Sequence, residues 1–374
     1  MSKIKVLIVD DSAFMRKVLE DILKSDDEIE VVATAKDGKE AFELVKKLEP
    51  NVITMDVEMP IMNGIDATKQ IMAYKPTPIL MLSAVTKQGS EATLKALDNG
   101  AVDFIEKPSG SVSLDIRKIG EKIIKQVKDA SKSKVRIKSS RILENIKKEK
   151  QDESSTPKPQ VEKTSGLSPE KLNDTAILIG SSTGGPPVVS SIISNIPKNT
   201  PPIFIVQHMP KGFTRVFAER MNNNSAITVK EAEHGEIVKP DHAYVAPGDS
   251  QMVLQKRGGN VYIIIDENMP KIHGTKPTVD VTAEYVTKYY GKNTIGVLLT
   301  GIGRDGANGL KMVKNKGGYT IAQNQDTCVI YGMPKTAIEM NVVDKVMDPI
   351  DIPLEIIKFA KKIGGWYHGR YGTV

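Results

Sequence analysis

Ile177-Leu178-Ile179-Gly180-Ser181-Ser182-Thr183-Gly184-Gly185-Pro186-Pro187 is the stretch around which the 374-residue chain is organised. The apolar run from Thr175 to Ile179 reads as a buried strand, small residues follow, and Pro187 to Ile196 is compatible with a helix. Gly180, Ser182 and Gly184 spell G-x-S-x-G, the pattern that lifts a serine hydroxyl out of a sharp strand-to-helix turn. Backbone N–H groups at the start of the helix can then face a developing oxyanion. Glycine and serine are also common turn residues, so the motif takes its meaning from what the rest of the chain brings to it.

Outward from that turn, apolar strands recur at 175–181, 203–207, 227–229, 243–246, 261–265, 294–300 and 319–322, with helical patterns near 187–195, 213–221, 281–290 and 307–316. The alternation predicts a mainly parallel, doubly wound α/β domain with a hairpin-like β excursion at about 226–265. Three strands run into reactive residues: the first into Ser182, the second into His208, and the third into Gly301-Ile302-Gly303-Arg304-Asp305-Gly306. Parallel strands of one sheet would bring Ser182, His208 and Asp305 to the same edge as nucleophile, base and orienting carboxylate. The order Ser…His…Asp differs from that of the α/β-hydrolases, where the acid precedes the histidine, so that fold is not what the motif signals.

The third loop also spells G-x-G-x-x-G, with Asp326 about twenty residues on, as in a dinucleotide site. Against that reading, Asp305 inside the loop would repel a pyrophosphate, and the unit comes late in the domain. His234, His242, His273 and His368 lack the spacing of a zinc site. Cys328, the one cysteine, excludes an internal disulfide and reads as a buried, inert thiol in a reducing compartment.

The N-terminal part repeats the strand–helix alternation. Residues 4–10, 29–35, 51–56, 78–83 and 101–105 read as five strands, with helical patterns at 13–24, 39–48, 64–74, 89–98 and 112–130. Functional groups of such sheets gather outside the carboxyl ends of the strands, which here carry Asp10, Asp11, Asp56, Ser83 and Lys107. Three unpaired aspartates would repel one another, so a hard cation with oxygen ligands is expected, and Mg²⁺ fits. Asp56 could then attack a phosphoryl donor while Lys107 and the metal neutralise the added charge.

A hydrophobic content of 40% and charged content of 26% are ordinary for a globular protein, and no run approaches the length needed to span a bilayer. The net charge of +6 suggests nucleic acid until it is divided along the chain. The first 125 residues are slightly acidic, and the excess lies in residues 126–174 and scattered beyond them, as on a solvated surface. Lys132–Lys150 is basic and Gln151–Pro169 is rich in Ser, Thr, Pro, Glu and Lys, which predicts a flexible linker over 126–174.

Asp10-Asp11, Asp56 with Met59-Pro60 and Gly64, Ser83-Ala84 and Lys107-Pro108 together resemble a response-regulator receiver domain over residues 1–125. That resemblance implies a flavodoxin-like fold and phosphorylation of Asp56 by a histidine kinase. It also implies Mg²⁺ held by the acidic pair Asp10 and Asp11 with Asp56 and the Glu58 carbonyl. Ser83 and Phe104 take the switch-hydroxyl and switch-aromatic places, beside Lys107.

Residues 175–374 resemble the methylesterase domain of the CheB family. The resemblance rests on Ile179 to Gly185, Gln207-His208-Met209-Pro210, Ala246-Pro247-Gly248, Lys276 to Val281, Leu299 to Ala307 and Thr327 to Pro334. It implies a triad of Ser182, His208 and Asp305 that hydrolyses glutamate γ-methyl esters on chemoreceptor helices in the cytoplasm, with deamidation of glutamine by the same chemistry. It implies backbone oxyanion donors at Thr183 and at Ile302, where the family usually has methionine, and no cofactor in the esterase site. Thr275 and Gln251 stand where relatives often carry histidine. The implied partners are the kinase and the methylated receptors, with neither nucleic acid nor membrane insertion. A further expectation is that the unphosphorylated receiver covers the Ser182 edge. The rival readings are a receiver-controlled module binding nucleotide or DNA, and a serine hydrolase of small esters.

Overall fold

A computed structural model of the chain describes residues 3–83, 86–107, 116–133, 135 and 169–363. Ala84, Pro108, His368 and most of the expected linker lie outside the described residues. Two compact units result, divided chiefly at residue 167.

In the first unit, β1 (Ile4–Val9), β2 (Ile29–Ala35), β3 (Val52–Asp56), β4 (Ile79–Ser83) and β5 (Asp103–Glu106) form one parallel sheet in the order β2-β1-β3-β4-β5. Between and after them come α1 (Ala13–Lys24), α2 (Gly38–Leu48), α3 (Gly64–Tyr74), α4 (Lys87–Asp98) and α5 (Ile116–Ser131). This is the flavodoxin-like order. β3 and β4 are buried along their whole length, as strands covered on both faces must be. Helices start where side chains can accept orphan N–H groups: Ser12 accepts from Met15 N, Asp37 from Lys39 and Glu40 N, and Asn63 from Asp66 N. At Gly64 a Cβ would collide with the Asp56 carbonyl, so only glycine lets the loop after β3 fold back this closely.

The second unit opens with α6 (Pro169–Asn173), β6 (Ala176–Ser181), α7 (Gly185–Ser194), β7 (Ile203–Gln207) and α8 (Phe213–Asn222). Four strands follow, β8 (Thr228–Glu231), β9 (His242–Val245), β10 (Gln251–Arg257) and β11 (Asn260–Asp266). It closes with α9 (Val279–Tyr290), β12 (Thr294–Leu298), α10 (Ala307–Asn315), β13 (Tyr319–Gln323), α11 (Met333–Glu339), β14 (Lys345–Met347) and α12 (Ile352–Ile363). Seven strands make a parallel sheet in the order β14-β13-β12-β6-β7-β9-β8. The first strand of the unit, β6, lies between β12 and β7, so the chain winds away from it in both directions. The crevice at such a switch point is where doubly wound sheets place their sites.

The β excursion is narrower than the sequence suggests. β8 and β9 do not fold into a hairpin. They pair in parallel and extend the main sheet from β7, because Ala243, Tyr244 and Val245 are buried against it. The hairpin itself is β10–β11, antiparallel from Gln251↔Asp266 to Arg257↔Asn260.

The core of the second unit packs Leu178, Phe204, Val206, Tyr244, Val279, Leu298 and Leu310. Phe204 is fully buried and stacks on Tyr244 with ring centroids 6.0 Å apart. The Tyr244 hydroxyl accepts from Lys239 N, so its burial leaves no orphan polar group. Phe204→Ala should therefore destabilise this unit by about 3–5 kcal/mol, read as a lower urea midpoint of its unfolding transition.

Candidate active site

The loops after β12, β6 and β7 leave neighbouring strands of the sheet. Register Ser181↔Gln207 across β6 and β7 puts Ser182 and His208, the next residues, side by side about 5 Å apart along the sheet. His208 N donates to Ser181 O at 3.1 Å and Ser182 N donates to Thr300 O at 3.0 Å, so the serine turn is tied to both flanking loops. Gln207, 2% exposed, braces it from beneath: its Nε2 donates to Ser182 O and His208 O, and its Oε1 accepts from the Ser181 hydroxyl at 2.6 Å. Ser181 is thus buried and committed. Ser182 is half-buried, past the strand end, and its hydroxyl engages no hydrogen bond among the described residues.

Glycine is required at two places here. Gly184 holds φ +74°, in the left-handed region, with Val329 where a Cβ would point. At Gly301 a Cβ would lie 2.7 Å from Ser182 Cβ, so the third loop reaches the serine only because the side chain is missing. Segment 330–333 clamps that loop: Gly301 N donates to Ile330 O, and Gly332 N and Met333 N donate to Gly301 O. The next N–H, that of Ile302, donates to no group among the described residues.

His208 Nε2 lies 2.8 Å from Asp305 Oδ2. An ionised carboxylate only accepts, which makes Nε2 the protonated nitrogen and leaves Nδ1 as the acceptor. Asp305 is 2% exposed, yet its charge is well solvated by the protein. Its Oδ2 also accepts from Val279 N at 2.7 Å and its Oδ1 from Asp280 N at 3.1 Å, both at the N-terminus of α9.

The dinucleotide reading of this loop is closed on the same grounds. The Gly306 and Gly309 N–H groups that would cradle a pyrophosphate at the start of α10 already donate to Asp280 Oδ1, at 2.9 and 2.7 Å. Gln251 is fully buried and its side chain is committed to Thr278. Its Oε1 accepts from Thr278 N and its Nε2 donates to Thr278 Oγ1, which fixes the residue that caps α9. Cys328 is buried, and burial pushes its thiol up to about 12, so it stays protonated and inert. Asp280, Gln207 and Thr300 carry much of this geometry, and the sequence reading gave none of them a role. Asp280 lies within the motif Lys276 to Val281, whose composition was its only signal.

In the first unit, the ends of β1 and β3 bring Asp10, Asp11 and Asp56 together, with one carboxylate oxygen of each inside a 4.8 Å cluster. Lys107 Nζ lies 2.9 Å from Asp10 Oδ2 and 2.7 Å from Asp56 Oδ2. Asp11 is exposed while Asp10 and Asp56 are buried. Arg16 Nη1 donates to the carbonyls of Asp10 and Asp11, fixing the acidic turn. Ser83, 1% exposed, ends β4, and its carbonyl accepts from Lys107 N. Phe104 is buried on β5, and Glu58 lies on the exposed turn after Asp56. Burial pushes the Asp56 carboxyl up to about 6, against the opposing pull of Lys107 and with the help of Asp10 and Asp11. An all-oxygen cluster of excess negative charge suits Mg²⁺, whose binding would supply the missing positive charge.

These two sites define a class: an acidic receiver centre on one unit, and a serine–histidine–carboxylate edge on an α/β sheet in the other. A family model described as CheB methylesterase matches residues 177–356, and one described as response regulator receiver domain matches residues 6–117. The chain belongs to the CheB methylesterase family, and it is an enzyme of that class preceded by a receiver. The protein-glutamate methylesterase/protein-glutamine glutaminase of Pyrococcus abyssi is 46% identical over 374 residues, covering 100% of this chain and 98% of that one. Its namesake from Thermotoga maritima is 44% identical over 358 residues, covering 96% and 98%. The crystal structure of the Thermotoga maritima CheB methylesterase catalytic domain is 46% identical, covering 50% of this chain and 98% of that chain, with a TM-score of 0.48. No helix among the described residues is long and apolar enough to cross a membrane.

The raised Asp56 carboxyl has a consequence for stability. The folded state holds this proton more tightly than an unfolded chain with an ordinary value of 3.8, so the stabilisation is complete below about 4 and is lost as pH rises through about 6. In metal-free protein, Asp56→Asn should therefore gain on the wild type between pH 4 and 7, by on the order of 3 kcal/mol in the receiver's urea unfolding.

Proposed function

We propose that Ser182, His208 and Asp305 hydrolyse glutamate γ-methyl esters on the cytoplasmic helices of chemoreceptors. The observation that carries this reading is the 2.8 Å contact between His208 Nε2 and the buried Asp305 carboxylate, on the sheet edge where Ser182 stands next to His208. Ser182 Oγ attacks the ester carbonyl carbon while His208 Nδ1 takes the hydroxyl proton, and Asp305 stabilises the imidazolium. The N–H groups of Thr183 and Ile302 receive the oxyanion. The C–O bond to the leaving methoxy group breaks, His208 returns the proton, and methanol departs. Water, activated by His208, then cleaves the γ-glutamyl ester to give glutamate and free Ser182. A glutamine side chain would follow the same path with ammonia as the leaving group.

Control comes from the receiver. Asp56 takes a phosphoryl group from a histidine kinase; Asp10, Asp11, Asp56 and the Glu58 carbonyl would hold Mg²⁺, which would supply positive charge there. Ser83, Phe104 and Lys107 respond to the phosphoryl group, and the rate of ester hydrolysis rises. Support for this part is the geometry of the acidic cluster and its lysine. The domains assigned to these roles are residues 1–125 and 175–374, joined by 126–174.

The deciding measurement is methanol release from methyl-esterified receptor helices. Wild type should release methanol faster with a small-molecule phosphodonor and Mg²⁺ than without. Ser182→Ala should lose at least about 10,000-fold in kcat under both conditions. Release that ignores the phosphodonor would remove the regulatory account, and no release from folded wild type would remove the esterase. Gly301→Ala should lower kcat by roughly 100-fold in the same assay, because its methyl group separates Ser182 from the Ile302 N–H.

A further inference from the structure

Asp280 is a buried carboxylate that the hydrolytic steps do not use, and it forms half of a reciprocal arrangement with Asp305. The Asp305 carboxylate accepts from Val279 N and Asp280 N at the start of α9. The Asp280 carboxylate accepts from Gly306 N and Gly309 N at the start of α10, in the loop that carries Asp305. Each aspartate therefore caps the helix that the other one begins, and four backbone N–H groups hold the pair. Those N–H groups are among the orphans that every helix start leaves, so they are donors with nothing else to bind.

Two carboxylates this close repel each other, and burial together with the Asp305 charge raises the Asp280 carboxyl above its ordinary value. The arrangement persists because the donors converge on it. His273 adds to them, with its Nε2 3.3 Å from Asp280 Oδ2, and Arg304 Nε in turn lies 3.4 Å from His273 Nδ1. From the other side, Gln251 fixes Thr278, the residue before α9, through Thr278 N and Thr278 Oγ1. At Gly309 a Cβ would lie 2.8 Å from Ala283 Cβ, so the two helices meet closely behind the pair.

We infer that Asp280 is the positioning residue for Asp305: by capping α10 it fixes the Asp305 loop against α9, and so sets the place and hydrogen bond of the His208 ring. This rests on the hydrolytic reading of Ser182, His208 and Asp305. Asp280 hydrogen-bonds to neither Ser182 nor His208. What it supplies is an acceptor oxygen for Gly306 N and Gly309 N, a role that an amide oxygen fills without charge.

The test compares Asp280→Asn, Asp280→Ala and wild type in the full chain. Asn keeps the acceptor, so kcat for methanol release stays within about threefold of wild type. Ala removes the cap, and kcat falls by roughly 10- to 100-fold while KM stays within about twofold, the pattern of a misplaced catalytic group. The ¹⁵N shifts of His208 report the same event without substrate. Wild type and Asp280→Asn show the Nε2–H form, whereas Asp280→Ala shows a mixture of both ring tautomers. Because the spectrum needs no turnover, it reads Asp280 even if the methyl ester proves to be the wrong substrate. Should Asp280→Ala fail to fold, Asp280→Ser, whose shorter side chain cannot span to both N–H groups, takes its place with the same expectations. An alanine or serine variant with unchanged kcat and an unchanged His208 spectrum, lowered only in Tm, would reduce Asp280 to a structural cap and overturn the inference. So would a loss of kcat with His208 undisturbed.

Discussion

A carboxylate 2% exposed must either give up its charge or find donors, and Asp305 finds three: two backbone N–H groups of α9 and the His208 ring. The rest of the edge depends on this. Because the α9 N–H groups fix both oxygens, the histidine meets a carboxylate that cannot rotate away, and its ring tautomer follows from that. Because Nε2 is committed, Nδ1 is the nitrogen left free to accept a proton. The orientation of one ring thus traces back to the start of a helix whose first residue lies 71 positions further along the chain.

Sheet topology explains why the three groups meet at all. β6 is first in sequence and central in space, so its loop lies between those of β12 and β7. Register does the fine placement: Ser181↔Gln207 and Gly180↔Leu298 bring the strand ends level. Missing side chains do the rest. Gly301 and Gly185 stand where a Cβ would strike Ser182 or Ser181, and the backbone closes to distances that a larger residue forbids.

Much of this was legible in the sequence because fully buried parallel strands read as apolar runs and place their reactive residues at the carboxyl ends. Asp10, Asp56 and Lys107 were found that way, as were Ser182 and His208. Asp305 was legible because its loop follows such a strand. What escaped has physical reasons. β10 begins with Gln251 and ends in Lys256-Arg257, so its polar residues hide a strand whose first four positions are buried. β14 spans only Lys345–Met347 and is largely exposed, which leaves no hydrophobic pattern to read. Asp280 escaped because its partners, Gly306 and Gly309, come from a separate helix, and local patterning says nothing about a cap supplied across 26 or 29 residues. Strands β8 and β9 were expected in a hairpin because alternation shows a strand without showing its direction.

The chain therefore handles clustered carboxylates in two opposite ways. Asp280 and Asp305 with His273 place ligand atoms within 4.8 Å of one another, as do Asp10, Asp11 and Asp56, so distance alone does not tell the clusters apart. Their donors do. Around Asp280 and Asp305, four backbone N–H groups and two imidazole rings already occupy the oxygens, and a metal would have to displace them. Around Asp56, Lys107 pairs with Asp10 and Asp56, and burial above all, with Asp10 and Asp11 adding to it, pushes the Asp56 carboxyl up to about 6. The first cluster has its oxygens occupied and holds the His208 ring in place. The second keeps an excess of negative charge among the described residues, which a divalent cation would relieve.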